Sequence, residues 1–465
     1  MVIQKLLGVK AEIRSTVRSA GRKGFSGILA CCVSIFSPLV SALEVTNVGV
    51  VDDEHLVVEG RGFGERLGQV APVLMDFAEY AYENGVLNDH HAGFSNGQEI
   101  ERPNTDPKTL WVKPQVGSSL EVSAPVLERL ANGRLESSEA HYLMKGANSF
   151  LGWPKAYGGF DTPVDNAQLY VSWFMKPKYD PRFYWSTTPL NQRGQFIPNE
   201  AVVINGIEGS FIGRSEIGIS KDMLQFLLPG EGNANNLIGQ KLVGLESGAE
   251  LTFHTDFAGD SGTGYLSPGA NKYIRVWEDP NGREGIRLSW TNMLIGGTVD
   301  LGPEQTRFLA DVIPGQWNFM ELFIDTSIGK VTARVNGIKG FEEVFGPDNE
   351  FKGEWSPTLA LLGFNGKIQV HQKVEVDDIY LDYRFSRVLI GDKPNFNDLK
   401  SYKLQVPVEW SDNEILVKPG RNGTNFMEAA YLYVVNEEGQ VNERGFPLCE
   451  SCGSAPAAPA SVEVK

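Results

Sequence analysis

The chain reads WNFMELFIDTSIGKVTARVNG over 317–337 and VEVDDIYLDYRFSRVLIGD over 374–392, and these two stretches decide the fold class. In the first, Phe319, Glu321, Phe323 and Asp325 alternate with Met320, Leu322 and Ile324. One face is mixed and the other continuously apolar, the period-two pattern of a strand. Residues 326–329 make a turn, with Gly329 available for a positive φ. Residues 330–335 return with Val331, Ala333 and Val335 on one face, and Asn336-Gly337 is a type I′ turn signal. In the second stretch, Val376, Asp378, Tyr380 and Asp382 alternate with Glu375, Asp377, Ile379 and Leu381. Neither set is cleanly apolar, so at least one of these acids is paired structurally or binds a cation.

Working outward, QLYVSWFMK at 168–176 is an apolar run rich in β-branched and aromatic residues, as a buried strand requires. Further strands are expected at 201–204, 250–254, 273–278, 286–290, 358–363, 367–370, 403–408, 414–417 and 430–436. Residues 44–66 read as two strands around an acidic turn. Residues 72–110 read as irregular, with an opening helix over 73–84 and His90-His91 as a solvated loop pair. The 51 Gly and 25 Pro punctuate short segments, which favours sandwiches or barrels over helices.

Residues 1–23 are basic, and 24–42 (GFSGILACCVSIFSPLVSA) carry no charge and end in small residues. This is the pattern of a cleaved secretory signal peptide, 1–42, with a mature start at Leu43. The mature chain would hold 36 basic and 57 acidic residues, a net charge of −21 against −16 for the whole. So acidic a surface repels nucleic acid, whose binding needs phosphate neutralisation. No later segment reads as a transmembrane span. Cleavage leaves two cysteines, Cys449 and Cys452, in CESCG. No second pair exists to complete a zinc site, and an oxidising compartment favours a local disulfide between the two.

The pattern from 317 to 392, with the Trp–Phe pair of 168–176 before it, resembles the concanavalin A-like (laminin-G-like) jelly roll. LVVEGRGFG, at 56–64, resembles the opening of an IPT/TIG immunoglobulin-like module, and the stretch after Asp392 resembles a small β module fused behind such jelly rolls. The expected fold class is mainly β: a concanavalin-like jelly-roll sandwich with a small C-terminal β module. The boundaries follow as an irregular β-containing region at 43–159, the jelly roll at 160–392, the module at 393–448 and a flexible tail at 449–465. The jelly-roll resemblance implies a polysaccharide or glycan as partner, beside the exclusion of nucleic acid by charge and of a membrane span in the mature chain by composition.

Three chemistries can be read on this frame. Jelly-roll glucanases carry E-x-D-x-x-E or E-x-D-x-E on one strand so that two carboxyl groups face the glycosidic bond. Glu375 and Asp377 begin such a pattern, but Ile379 and Leu381 stand where its third acid belongs. A lyase needs a base and a group to neutralise the uronate; Gln369-Val370-His371 matches the Q-[IV]-H motif of jelly-roll alginate lyases, and the partner motifs are absent. Binding alone needs an aromatic platform and a few polar groups, and Tyr273, Arg275 and Trp277 fall at period two. Calcium would find oxygen ligands at Asp377, Asp378 and Asp382. The reading is a secreted carbohydrate-binding or surface-recognition protein without catalysis, extracellular, cell-surface or periplasmic. The alternatives are a polysaccharide-degrading enzyme, lyase ahead of hydrolase, and a structural or adhesion component of the cell surface.

Overall fold

The computed structural model describes residues 42–52, 54–66, 68–103, 106, 108–112, 123–129, 140–146, 148–157, 166–178, 184–214, 223–228, 237–254, 271–277, 284–289, 292–295, 306–307, 312–344, 358–366, 372–419 and 430–448. His371, Cys449, Cys452 and nearly all of the leader lie outside them. The described residues are nearly all β, arranged in six sheets, with short 3-10 turns at Lys155–Tyr157 and Phe396–Asp398. Among them no helix is long and apolar enough to cross a membrane.

The main sheet runs Ile338–Val344, Lys330–Val335, Asn318–Asp325, Gln168–Pro177, Gln372–Asp382, all antiparallel. The hairpin sits where the pattern of residues requires, and Asn336 (φ 51°) and Gly337 (φ 74°) take the left-handed pair of a type I′ turn. Its mixed face is covered as well: all eight residues of Asn318–Asp325 are buried. The two acids there are held inside, with Glu321 bonded through one carboxylate oxygen and the other, Oε2, without a hydrogen-bond partner. Asp325 accepts from the backbone N–H of Ser327 at 2.9 Å and so caps the turn. Glu321 accepts from the Tyr170 hydroxyl at 2.9 Å and from that of Tyr402, and lies 3.7 Å from the Arg387 guanidinium.

A β-bulge changes the reading of Gln372–Asp382. Ser172 pairs with Tyr380 and Phe174 with Asp377, so one residue on the first strand opposes two, Asp378 and Ile379, on the second. Asp378 takes φ 44° there. The extra residue resets the alternation. Val374, Val376, Ile379 and Leu381 all enter the main core, and Tyr380 packs in a separate cluster across the sheet. The strand therefore has a clean apolar face that strict period two hides.

A second sheet, ordered Asn148–Phe150, Thr358–Gly366, Asn271–Trp277, Glu284–Ser289, Asn292–Ile295, Thr306–Arg307, supplies Phe150's neighbours and the other half of the core. Tyr273, Ile274, Val276 and Leu362 from it join Trp173, Leu322, Ile324, Val376 and Leu381 from the main sheet in one cluster. Burial of such side chains, about 1.5–3 kcal/mol each, is what holds two sheets face to face.

The chain ends build a sandwich of their own. Glu44–Asp52 and His55–Arg61 pair with Glu414–Lys418 and Val406–Trp410 in one sheet. Lys403–Leu404, Arg387–Gly391, Tyr431–Val435 and Phe446–Pro447 form another. Val58, Phe63, Val388, Ile415, Val417, Leu432 and Val434 pack between them. Sheets thus cross the boundaries drawn on the sequence at 159/160 and 392/393. Seven strands between Tyr184 and Thr252 form a further sheet around a separate core that includes Trp185, Phe211 and Phe226. Its two outermost strands, Tyr184–Thr187 and Leu190–Arg193, are consecutive in the chain, so the sheet curls back on itself.

Candidate functional site

The segment read as irregular contributes strands instead. Leu74–Asp76 and Ala81–Glu83 replace the expected helix over 73–84, and Leu74–Asp76 pairs with Gln372–Asp382 at Ile379–Leu381. Asp76 ends that strand with its carboxyl fully buried. It accepts from the Trp111 indole N–H at 2.6 Å, from the Tyr142 hydroxyl at 2.9 Å and from the backbone N–H of Ala78 at 2.8 Å. The last bond fixes a tight turn in which Ala78 takes φ 63°, a conformation a residue with a Cβ adopts only when its surroundings impose it. Burial raises the pKa of Asp76, and raises Tyr142 well above the usual tyrosine range.

His90 and His91 cover this cluster from outside. Their tilted rings are 4.1 Å apart, and the His91 ring meets Tyr142 edge-on at 6.5 Å. His90 Nε2 lies 3.9 Å from the Asp76 carboxyl, in a side chain only 2% exposed. The doublet is therefore not the solvated loop pair expected from sequence. Burial lowers both imidazoles to about 4, with repulsion from His90 adding to the shift of His91. Both are neutral at pH 7.

The two histidines form one wall of a cleft of about 160 Å³. Gln98, Glu101, Arg102, Lys108 and Trp111 line the rest. Arg102 is held by backbone alone: one amino group donates to the carbonyls of Phe150 (2.6 Å) and Leu151 (3.0 Å). Burial brings its pKa down to about 10, with the charge of Glu99 opposing the shift. The cleft combines uncharged imidazoles on a turn with a guanidinium on the following connection that two backbone carbonyls hold in place.

The residues picked out in the sequence lie elsewhere. Tyr273 is 1% exposed and belongs to the main core, which removes it as a stacking platform. Register shifts at Tyr273 and after Arg275 break the alternation on which Tyr273, Arg275 and Trp277 were grouped; Arg275 is half-buried. Glu375 forms an ion pair with Lys176 at 2.7 Å, and the Lys176 ammonium lies 5.4 Å from the centre of the Trp317 ring. Asp377 is 2% exposed and accepts from the backbone N–H of Asp378 at 2.8 Å. Asp382 is buried against Arg66 at 2.5 Å and the Tyr380 hydroxyl at 2.9 Å. Asp377, Asp378 and Asp382 do not converge: among the described residues no three His, Cys, Asp or Glu side chains form a group that could hold a metal ion. His371 lies outside the described residues.

No family model matches the chain, and no curated protein does. Among solved structures it is similar to domain 4 of an extracellular GH43 arabinanase from Geobacillus stearothermophilus, in complex with arabinotriose, at 14% identity over 56% of this chain and 78% of that one, with a TM-score of 0.16. It is also similar to the binding domain of Botulinum neurotoxin serotype D, at 10% identity over 68% and 48% of the two chains with a TM-score of 0.21. The serotype G binding domain shows 7% identity over 78% and 72%, with a TM-score of 0.22. Likenesses this distant carry no argument about fold or ligand.

Proposed function

We propose that the chain is a secreted carbohydrate-recognition protein, built around a concanavalin-like jelly roll, that holds glycan in the cleft walled by His90, His91, Arg102 and Trp111. The observation that carries the reading is the composition of that cleft. The half-buried His91 imidazole stands beside the Arg102 guanidinium, fixed by two backbone carbonyls, and the Gln98 carboxamide, while Trp111, 2% exposed and bonded to Asp76, backs them from the core. A sugar ring offers an apolar face to the rings and hydroxyls to the polar groups. The two antiparallel sheets packed over one core support the jelly roll, and the leader of 1–42 supports export.

The test is retention of the full chain on a panel of immobilised acidic and neutral polysaccharides, with absorbance at 235 nm and reducing ends followed in solution. Retention without product, weakened by His91→Ala, supports the reading. Product formation would make the chain an enzyme, and a rise at 235 nm would make it a lyase. Retention by none of the polymers would refute carbohydrate recognition and favour a structural or protein-binding role.

A further inference from the structure

We infer that the cleft selects saccharides bearing a carboxylate, with Arg102 as the residue that receives it. The inference rests on the carbohydrate reading of the same cleft and narrows it to a ligand class.

Arg102 is half-buried, yet the partners of its guanidinium are two backbone carbonyls, those of Phe150 and Leu151. Both bonds use the same amino group, Nη1. The remaining N–H groups belong to a planar fork that lines the cleft. Elsewhere the protein treats its inner arginines differently. Arg66 is paired with Asp382 at 2.5 Å, and Arg387 lies 3.7 Å from Glu321. A guanidinium taken partly out of water without an anion is costly, and a bound carboxylate would remove that cost through parallel charge-assisted hydrogen bonds.

The acids near the cleft do not fill this role. Glu99 acts on Arg102 through its charge, and Glu101 and Asp106 line the cleft, but among the described residues no ion pair within 4 Å joins any of the three to Arg102, and Asp106 is engaged by the backbone N–H of Lys108 at 2.8 Å. The neutral imidazoles of His90 and His91 add hydrogen-bonding capacity without competing charge. Lys108, exposed on the same lining, adds a second positive charge at the mouth. A carboxylate can come from a hexuronate or from a nonulosonate such as sialic acid. Both present the same planar anion to the fork.

The experiment measures binding of the full chain to polygalacturonate, alginate and polysialic acid, and to carboxyl-reduced polygalacturonate, laminarin and xylan. The expected result is binding to at least one of the three acidic polymers, loss on carboxyl reduction, and a drop of about tenfold or more with Arg102→Gln, the scale of a charge-assisted hydrogen bond. Arg102→Lys should retain part of the affinity, because it keeps the charge and loses the fork. Which acidic polymer binds separates the uronate from the sialate source. Equal binding to polygalacturonate and its carboxyl-reduced form overturns the inference, and does so without relying on any variant folding. Binding to neutral glycans alone likewise sinks the carboxylate class while leaving carbohydrate recognition standing. Binding to no polymer refutes both.

Discussion

The buried histidine pair predicts a specific loss of stability in acid. His90 is 2% exposed at its side chain and its pKa falls from 6.5 to about 4, chiefly through burial. A histidine with a depressed folded pKa binds its proton more readily in the unfolded chain. Its contribution is present in full above 6.5 and is lost as pH falls towards 4. At about 1.36 kcal/mol per pKa unit, His90 alone accounts for roughly 3 kcal/mol between pH 7 and pH 4. His91 shows a shift to about 4, but part of it is repulsion from His90, so the pair is worth roughly 3–5 kcal/mol and not twice the single value. The assay is urea denaturation at half-unit pH steps from 7 to 4, on the natural chain and on His90→Phe/His91→Phe. Other acids titrate in this window too. Burial raises Asp76 and Asp382, and that opposes the histidine effect in both proteins. The difference between the two curves removes the Asp382 term; Asp76 is coupled to His91 by charge, so its change belongs to the measured histidine effect. It should shrink by about 3 kcal/mol or more on going from pH 7 to pH 4. Curves that stay parallel within about 0.5 kcal/mol would refute the buried, neutral state of the pair.

Three further outcomes follow from the packing. Glu321→Gln should cost about 3–5 kcal/mol by leaving Arg387 buried without its carboxylate, and adding Arg387→Met should recover much of the loss in a double-mutant cycle read by denaturation. Gly337→Ala forces a Cβ at φ 74° to within 2.2 Å of the Leu399 carbonyl oxygen, so thermal unfolding should register at least about 2 kcal/mol of destabilisation, whereas Asn336→Gly tolerates the turn but loses the side-chain bonds to the Phe319 N–H (2.9 Å) and Asn318 (3.1 Å) and should cost about 1 kcal/mol. Ile415→Ala removes a fully buried side chain between the terminal sheets, and should cost about 2–5 kcal/mol and speed proteolysis of the 44–61 segment.

The hairpin at 318–335 was legible because everything that fixes it is local: alternation, a turn, and Asn-Gly. The strand at 372–382 was legible as a strand but not in its facing, because one extra residue at Asp378 reverses the alternation and only the paired strand reveals it. The same limit undid the Tyr273–Trp277 grouping, where register shifts fall at Tyr273 and again beyond Arg275. The cleft was less legible still. Asp76, Trp111 and Tyr142 come from three separate strands, and no spacing in the chain connects them. The His90-His91 doublet was visible, but the strands it covers, 74–76 and 140–146, are brought together only by pairing with opposite ends of Gln372–Asp382.

That placement joins the fold to the site. Leu74–Asp76 and Ala140–Gly146 both pair with Gln372–Asp382, at opposite ends, with the bulge at Asp378 between the two pairings. Bulges bend a strand and increase its local twist. Here the bend falls where the neighbour of the strand changes, and Asp76 and Tyr142 meet across that change at 2.9 Å. The cleft therefore depends on the N-terminal segment adding to a sheet whose central strands lie hundreds of residues later. The terminal sandwich helps hold that segment in place, since Arg66 ties it to Asp382 on the bulged strand itself. Closing so long a loop costs more entropy than a local hairpin, and native contacts must offset it. A buried ion pair is weak as a source of stability but strict in geometry, because a wrong register leaves both charges unpaired. Arg66–Asp382 thus works as a register lock: it lets Gln372–Asp382 accept its N-terminal neighbour in only one alignment, the one that brings Asp76 to Tyr142 and sets His90 and His91 over them.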